Sequence, residues 1–317
     1  MSRQRLAGSL ILVIALAACA APGTTATPPS PTPATGTYPG WPAGPDPNAQ
    51  MVPLLVSSEL VPGPNRFLFS LADTSNALIA APDLATTATF FDLAADPAKA
   101  VTEASGTFIW TVPATVGLYH LQVAFTRAGP WGVEIVASKA GLPDRKVRAV
   151  FDVRASGSTP ALGSKVPASD TPTATTAAGI AAISSDPSPD PDFYRQSVKG
   201  ALAAGEPFVL IFATPLFCQS RTCGPTLDTV KSAAAPYKGR IEFIHVEPYQ
   251  LHVTDTGLQP VYAANGDFQV VPAAAEWGLP SEPWTFVVRA DGTLAAKFEG
   301  GLGADELRQA LDALLGS

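Results

Sequence analysis

From Val52 to Arg154 apolar and polar residues alternate with a period of two, the mark of half-buried strands. Tyr119, Leu121, Val123 and Phe125 share one side of a strand, and His120, Gln122 and Ala124 share the other. Val147, Ala149, Phe151 and Val153 repeat the pattern. Further strands are predicted at 66–72, 88–93, 106–112 and 131–138, and the alternation puts His120 on a solvent face. After Asp190 the pattern changes. Helical spacing over 192–204 stops at Gly205, and a continuous apolar strand follows at 207–213. A helix at 225–235 has Pro225 in its first turn, and the next strand runs over 241–247. A short helical piece at 273–277 precedes strands at 284–289 and 293–298, joined at Asp291-Gly292, a good hairpin signal. The last helix is predicted over 304–315.

Two stretches show no such periodicity. Residues 20–50 and 155–190 are rich in Pro, Thr, Ala, Ser and Gly, a composition that buries little core. The first reads as a disordered tether and the second as a linker between two domains. The N-terminal domain, 51–154, has the strand count of an immunoglobulin-like β-sandwich without a disulfide. Within it, the run from Gly117 to Ile135 resembles small extracytoplasmic β modules of the YtkA-like kind. The C-terminal domain, 191–317, alternates helix and strand.

Residues 1–19 change the setting. Arg3 and Arg5, the apolar run Leu10 to Leu16 and the small-residue end Leu16-Ala-Ala-Cys19 form a signal peptide, too short in its apolar part to span a bilayer. Leu-Ala-Ala-Cys also resembles the bacterial lipobox, which implies a lipoprotein cleaved before Cys19 and carrying lipid on its sulfur. The expected location is therefore the extracytoplasmic side of the cell membrane, lipid-anchored through Cys19. Without Arg3 and Arg5 the basic residues fall from 20 to 18 against 27 acidic ones, a formal charge of −9. That sign argues against a nucleic-acid partner.

Only two cysteines remain for chemistry, in Phe217-Cys218-Gln-Ser-Arg-Thr-Cys223-Gly-Pro225, directly after the strand Phe208 to Phe212. In an exporting compartment they can form a disulfide. A strand, a cysteine pair, a helix and a later hairpin resemble the thioredoxin superfamily over most of 191–317. Trp277-Gly-Leu-Pro-Ser-Glu-Pro283-Trp284 is similar to that family's approach to its cis-proline. The resemblance implies an α/β thioredoxin-like domain, with Cys218 as nucleophile, Cys223 as resolving partner and Pro283 against the pair. It implies thiol–disulfide exchange with protein thiols or disulfides, with no cofactor and no resident metal. The chain departs from the family in having four residues between the cysteines and Phe212 where thioredoxins carry a buried acid. On an unbroken helix, residues five apart point roughly 140° away from each other, so a Cys218–Cys223 bond requires an irregular turn. Gly224-Pro225 places the expected helix start after Cys223, which would direct the helix dipole to Cys223 rather than Cys218.

Other readings stay open at this level. The pair can be an inert structural disulfide in a binding or scaffolding lipoprotein that meets an exported partner protein. Cysteines with His245 or His252, and Met51 as the one thioether of the mature chain, allow a copper-handling reading like that of Sco-type chaperones. Pro215 with Cys218 gives a weaker peroxidase reading. Arg221 and Glu282 are candidates for tuning the thiols, against a default of solvated surface charges, and Tyr249 is expected to pack.

Overall fold

The structure is a computed structural model that describes residues 37–44, 49–255 and 257–316. The signal segment with Cys19, and most of the expected tether, lie outside the described residues. Of the described residues 36% are in strands and 18% in helices. Among them no helix is long and apolar enough to cross a membrane.

The N-terminal strands are β1 (Val52–Leu55), β2 (Gly63–Ala72), β3 (Ala85–Asp92), β4 (Ala100–Val112), β5 (Val116–Phe125), β6 (Gly129–Ser138) and β7 (Arg145–Val153). They form one antiparallel sheet in the order β1-β2-β5-β4-β3-β6-β7. The inward positions of the alternating pattern fill its interior with aromatic rings. Phe151 lies 5.4 Å from Phe67 and 5.7 Å from Phe125, whose other edge meets Trp131 at 5.0 Å. Tyr119 is buried with its hydroxyl bonded to the carbonyls of Ala81 and Leu84, which meets the needs of its polar end.

The C-terminal elements are α1 (Ala177–Ile183), α2 (Val198–Ala204), β8 (Phe208–Phe212), α3 (Cys223–Ala234), β9 (Glu242–Val246), β10 (Leu251–Thr254), β11 (Gly257–Pro260), α4 (Pro272–Glu276), β12 (Trp284–Val288), β13 (Leu294–Glu299) and α5 (Ala304–Leu315). Four strands pair in the order β13-β12-β8-β9, with β8 and β9 parallel and the other pairs antiparallel. β8 is apolar throughout because both its faces are covered. Val209 and Ile211 pack with Leu227, Val230, Leu307 and Leu311, while Leu210 and Phe212 pack with Trp277 and Phe286.

The structure corrects the expected fold class of a two-sheet immunoglobulin-like sandwich followed by an α/β thioredoxin-like domain. The first half is a single seven-stranded sheet curled towards a barrel. β4 causes this. Its first half pairs with β3 and its second half with β5, so it joins what would otherwise be separate sheets. Gly106 sits at the crossing, where a Cβ would strike the Thr86 hydroxyl. Alternation marks inward positions but cannot reveal that one long strand serves two neighbours. The second half is not clearly the expected α/β domain. Its sheet has a single parallel pair, its helices are 5–12 residues long, and the stretch between β9 and α4 forms the separate β10–β11 ribbon.

Residues 155–190, read as a linker, are hydrogen-bonded to the C-terminal half. Val166 N–H donates to Gly292 O at 3.1 Å, Ser169 Oγ accepts from Trp277 Nε1 at 3.2 Å, and Ser185 N–H donates to Glu247 Oε1 at 2.6 Å. Small polar side chains of the segment also serve as backbone partners, Thr171 Oγ1 accepting from Val198 N–H and Ser185 Oγ from Leu216 N–H, a use that composition does not distinguish from a solvated linker. Part of the expected tether docks as well. Trp41 sits over Gly132, whose missing Cβ leaves room for the indole, and stacks under Arg148 at 4.8 Å.

The two halves are joined by buried ionic contacts. Arg66 of β2 makes two bonds to Glu306 of α5, at 2.5 and 2.8 Å, and donates to the carbonyls of Glu299 and Gly301. His120, expected at solvent, faces Glu306 at 3.2 Å. The polar side of β2 and β5 is a contact surface here, because the C-terminal half covers it.

Candidate functional site

The site is built on the loop between β8 and α3. Phe217 and Cys218 N–H groups both donate to Thr214 O, at 3.2 and 3.0 Å, which turns the chain sharply after β8. Arg221 N–H then donates to Cys218 O at 3.2 Å, and Arg221 adopts a left-handed φ of 59°. This tight turn supplies the irregular geometry that four intervening residues demand, and it brings the two sulfurs together. The Arg221 side chain is exposed, so the residue shapes the site through its backbone.

Helix α3 begins at Cys223 itself, with Thr222 as its N-cap, and so earlier than the start expected from Pro225. The first N–H groups of a helix have no partners within it and favour a nearby anion. That anion is Cys218. Its Sγ accepts from the Cys223 thiol, from Ser220 Oγ at 3.1 Å, and from the N–H groups of Cys223 and Thr222. The Cys223 thiol is the largest influence; burial opposes it, and Ser220 and the two N–H groups add to it. The result holds the Cys218 thiol down at about 5. Cys223 is driven the opposite way, first by burial and then by Cys218. Both cysteines are reduced in this structure. Cys218 is 9% exposed and Cys223 is 0% exposed, so the acidic thiol lies at the rim and the protonated one behind it.

Glu282 and Pro283 approach from the loop before β12, and the peptide between them is cis. The Glu282 carboxylate faces both sulfurs, and the ligand atoms of Cys218, Cys223 and Glu282 all lie within 4.8 Å of one another. Tyr249 donates to Glu282 Oε2 at 2.6 Å. Burial raises Glu282 to about 7, with the Tyr249 bond opposing the rise and the charge on Cys218 adding to it. The two side chains that sequence reasoning ranked low, Glu282 as a surface charge and Tyr249 as packing, therefore belong to the centre of the site. The available signal was a carboxylate immediately before the proline that opens an apolar strand.

Two sulfurs and a carboxylate are also a donor set for a thiophilic cation, and this is the one such group among the described residues. The histidines do not join it. His245 is buried in β9 with Nε2 bonded to Ala213 O and Nδ1 to Tyr194 Oη, both at 2.9 Å, and His252 lies exposed on the β10–β11 ribbon. Met51 is fully buried in the core of the N-terminal sheet.

An apolar cluster adjoins the cysteine loop through Phe217. Leu216 is 64% exposed beside Cys218, and Phe217 meets Phe268, which in turn contacts Tyr249 and the 63% exposed Tyr262.

No family model matches the chain, and no curated protein matches it. Among solved structures, MtrC from Shewanella baltica OS185 aligns at 12% identity over 37% of this chain and 24% of its own, with a TM-score of 0.25. A putative glycoside hydrolase from Bacteroides vulgatus ATCC 8482 aligns at 11% identity over 70% of this chain and 36% of its own, with a TM-score of 0.22. The chain thus spans well under half the length of either, and similarity at this level carries no argument about fold or activity.

Proposed function

We propose that the protein exchanges disulfides through Cys218 and Cys223 on the extracytoplasmic face of a membrane, anchored there by lipid on Cys19. The observation that carries this reading is the asymmetry of the pair: an acidic thiol at the rim and a buried, protonated thiol within reach of it. Exchange requires that combination, because the thiolate is the nucleophile and a second thiol must release the mixed disulfide. In the reducing direction, Cys218 attacks a substrate disulfide and one substrate sulfur leaves as thiolate. Cys223 then attacks Cys218 and the second substrate sulfur leaves. Two electrons pass from the pair to the substrate, and the pair ends as a disulfide. The exposed Leu216 on the cysteine loop, and the exposed Tyr262 joined to that loop through Phe268 and Phe217, suit a polypeptide substrate better than a small charged thiol.

The test is trapping and potential together. The Cys223→Ser variant should accumulate a mixed disulfide on Cys218, and Cys218→Ser should not. The wild-type pair should titrate above about −300 mV, the range below which structural disulfides lie. A pair that stays oxidised at −300 mV, with no mixed disulfide in either variant, would make the cysteines a structural clamp. The anchor is tested separately: Cys19→Ser should abolish incorporation of labelled fatty acid.

A further inference from the structure

We infer that Glu282 is the proton acceptor for Cys223 in the step that resolves the mixed disulfide. The inference rests on the exchange reading. Cys223 is fully buried, so bulk water has no direct access to its thiol, yet it must lose a proton before it can attack. β8 ends in Phe212, and Thr214, whose N–H donates to Cys223 Sγ, follows it; neither side chain is a base. His245 is committed to Ala213 and Tyr194. Glu282 is the carboxylate that faces both sulfurs. The titratable groups facing it are Tyr249, Cys218 and Cys223. The phenol of Tyr249 donates to Oε2 of the carboxylate at 2.6 Å, and the Glu282 N–H also donates to the carboxylate. Burial, with the Cys218 charge adding to it, raises the carboxyl to about 7 in the reduced pair; with Cys218 in a mixed disulfide that charge is gone, and burial still holds the carboxyl above its ordinary value, which suits a group that takes and returns a proton.

The step balances as follows. With substrate sulfur bonded to Cys218, the Cys223 proton moves to Glu282. The Cys223 thiolate attacks Cys218 Sγ, the bond from Cys218 to the substrate sulfur breaks, and the substrate leaves as thiolate. Glu282 returns the proton to that thiolate, and the Cys218–Cys223 disulfide remains. The carboxylate is regenerated in every turnover.

The reduced full-length chain is mixed with 5,5′-dithiobis(2-nitrobenzoate). The first nitrothiobenzoate released reports capture by Cys218, and the second reports resolution by Cys223. This leaving group departs without needing a proton, so the second phase isolates the ionisation of Cys223. Glu282→Gln should slow the second release at least about tenfold relative to the first. It should also remove from the second phase the inflection of the Glu282 carboxyl, which lies below pH 7 once Cys218 carries the substrate sulfur and its charge is gone. Tyr249→Phe, which keeps the carboxyl but removes its donor, should move that inflection to higher pH while preserving the plateau rate. A purely structural role would slow both phases and leave the inflection in place. A Gln variant with the wild-type ratio and pH profile overturns the inference and leaves exchange standing. Absence of any Cys218 mixed disulfide in Cys223→Ser removes the exchange reading, and this inference with it.

Discussion

At pH 7 Cys218 should be a thiolate and Cys223 a thiol, and removing one donor should shift that balance by a measurable amount. An ordinary thiol here would titrate at 9.0, and Cys218 is held at about 5. The thiolate-to-thiol ratio at pH 7 is then about 100 to 1, where an ordinary thiol would give about 1 to 100. The Cys223 thiol contributes most, and a hydrogen bond to a charged group is worth roughly 1.5–3 kcal/mol, or about one to two pH units in the midpoint. Cys223→Ala should therefore raise the Cys218 midpoint by that much, while Cys223→Ser, which keeps a hydroxyl donor, should raise it less. Ser220→Ala should give a smaller rise.

The midpoint is read from thiolate absorbance at 240 nm and from the pH dependence of alkylation by iodoacetamide, with the labelled residue identified by mass spectrometry. In the wild type, labelling should fall on Cys218 and grow as pH rises through about 5. A wild-type midpoint at or above 8, or a Cys223→Ala midpoint equal to wild type, would refute the assignment of Cys218 as the activated sulfur.

Three further outcomes follow from the fold. Glu59 accepts from Lys297, Ser158 and Thr159 at 2.6–3.1 Å; burial raises its carboxyl, but Lys297 and Thr159 outweigh burial and hold it at about 2. A carboxyl depressed from 4.5 contributes its full share of stability above about 4.5 and loses it as pH falls towards 2, a span worth about 3 kcal/mol. Glu59→Gln should cost about 3–5 kcal/mol in urea unfolding at pH 7, because it strands Lys297 and breaks the joint between the halves; a change under about 0.5 kcal/mol would contradict this. Arg221→Val should destabilise by about 1–2 kcal/mol and raise the Cys218 midpoint, whereas Arg221→Gly should be neutral or better in the same melt, since φ is 59° there. Gly278 has φ 63° and lies against the Ser158 carbonyl, so Gly278→Ala should cost at least about 2 kcal/mol and loosen segment 155–190, seen as faster amide exchange there.

What the sequence discloses here depends on whether a feature is local. The last helix, predicted over 304–315, and the turn at Asp291-Gly292 are set by nearby residues and lie where the pattern puts them. The joining of the N-terminal strands through β4 is a long-range choice that leaves the inward faces unchanged, so the alternation is the same for a sandwich and for one continuous sheet. Arg66 and His120 show the other limit. Polar residues on the outer side of a strand look solvated, and only the arrival of Glu306 turns them into a buried contact. The residues of 155–190 are too small and polar to announce burial. Glu282 announces itself only as a carboxylate before the strand-opening Pro283; nothing in its own segment tells that Tyr249 and two sulfurs converge on it.

The spacing of the cysteines decides their chemistry. With α3 starting at Cys223, that residue is held by the helix and points inward, where its sulfur has no exposure. Cys218 precedes the helix by four residues, enough for the chain to fold back through Arg221 and set its sulfur against the free N–H groups of Thr222 and Cys223. The same fold-back leaves Cys223 behind its partner and away from water, which is why a carboxylate from another segment must be at hand if the buried thiol is to react. The activated sulfur and the buried sulfur are thus consequences of one loop geometry. Lengthening the Gln219–Thr222 turn by one glycine should raise the Cys218 midpoint and slow resolution together, whereas independent effects would change one without the other.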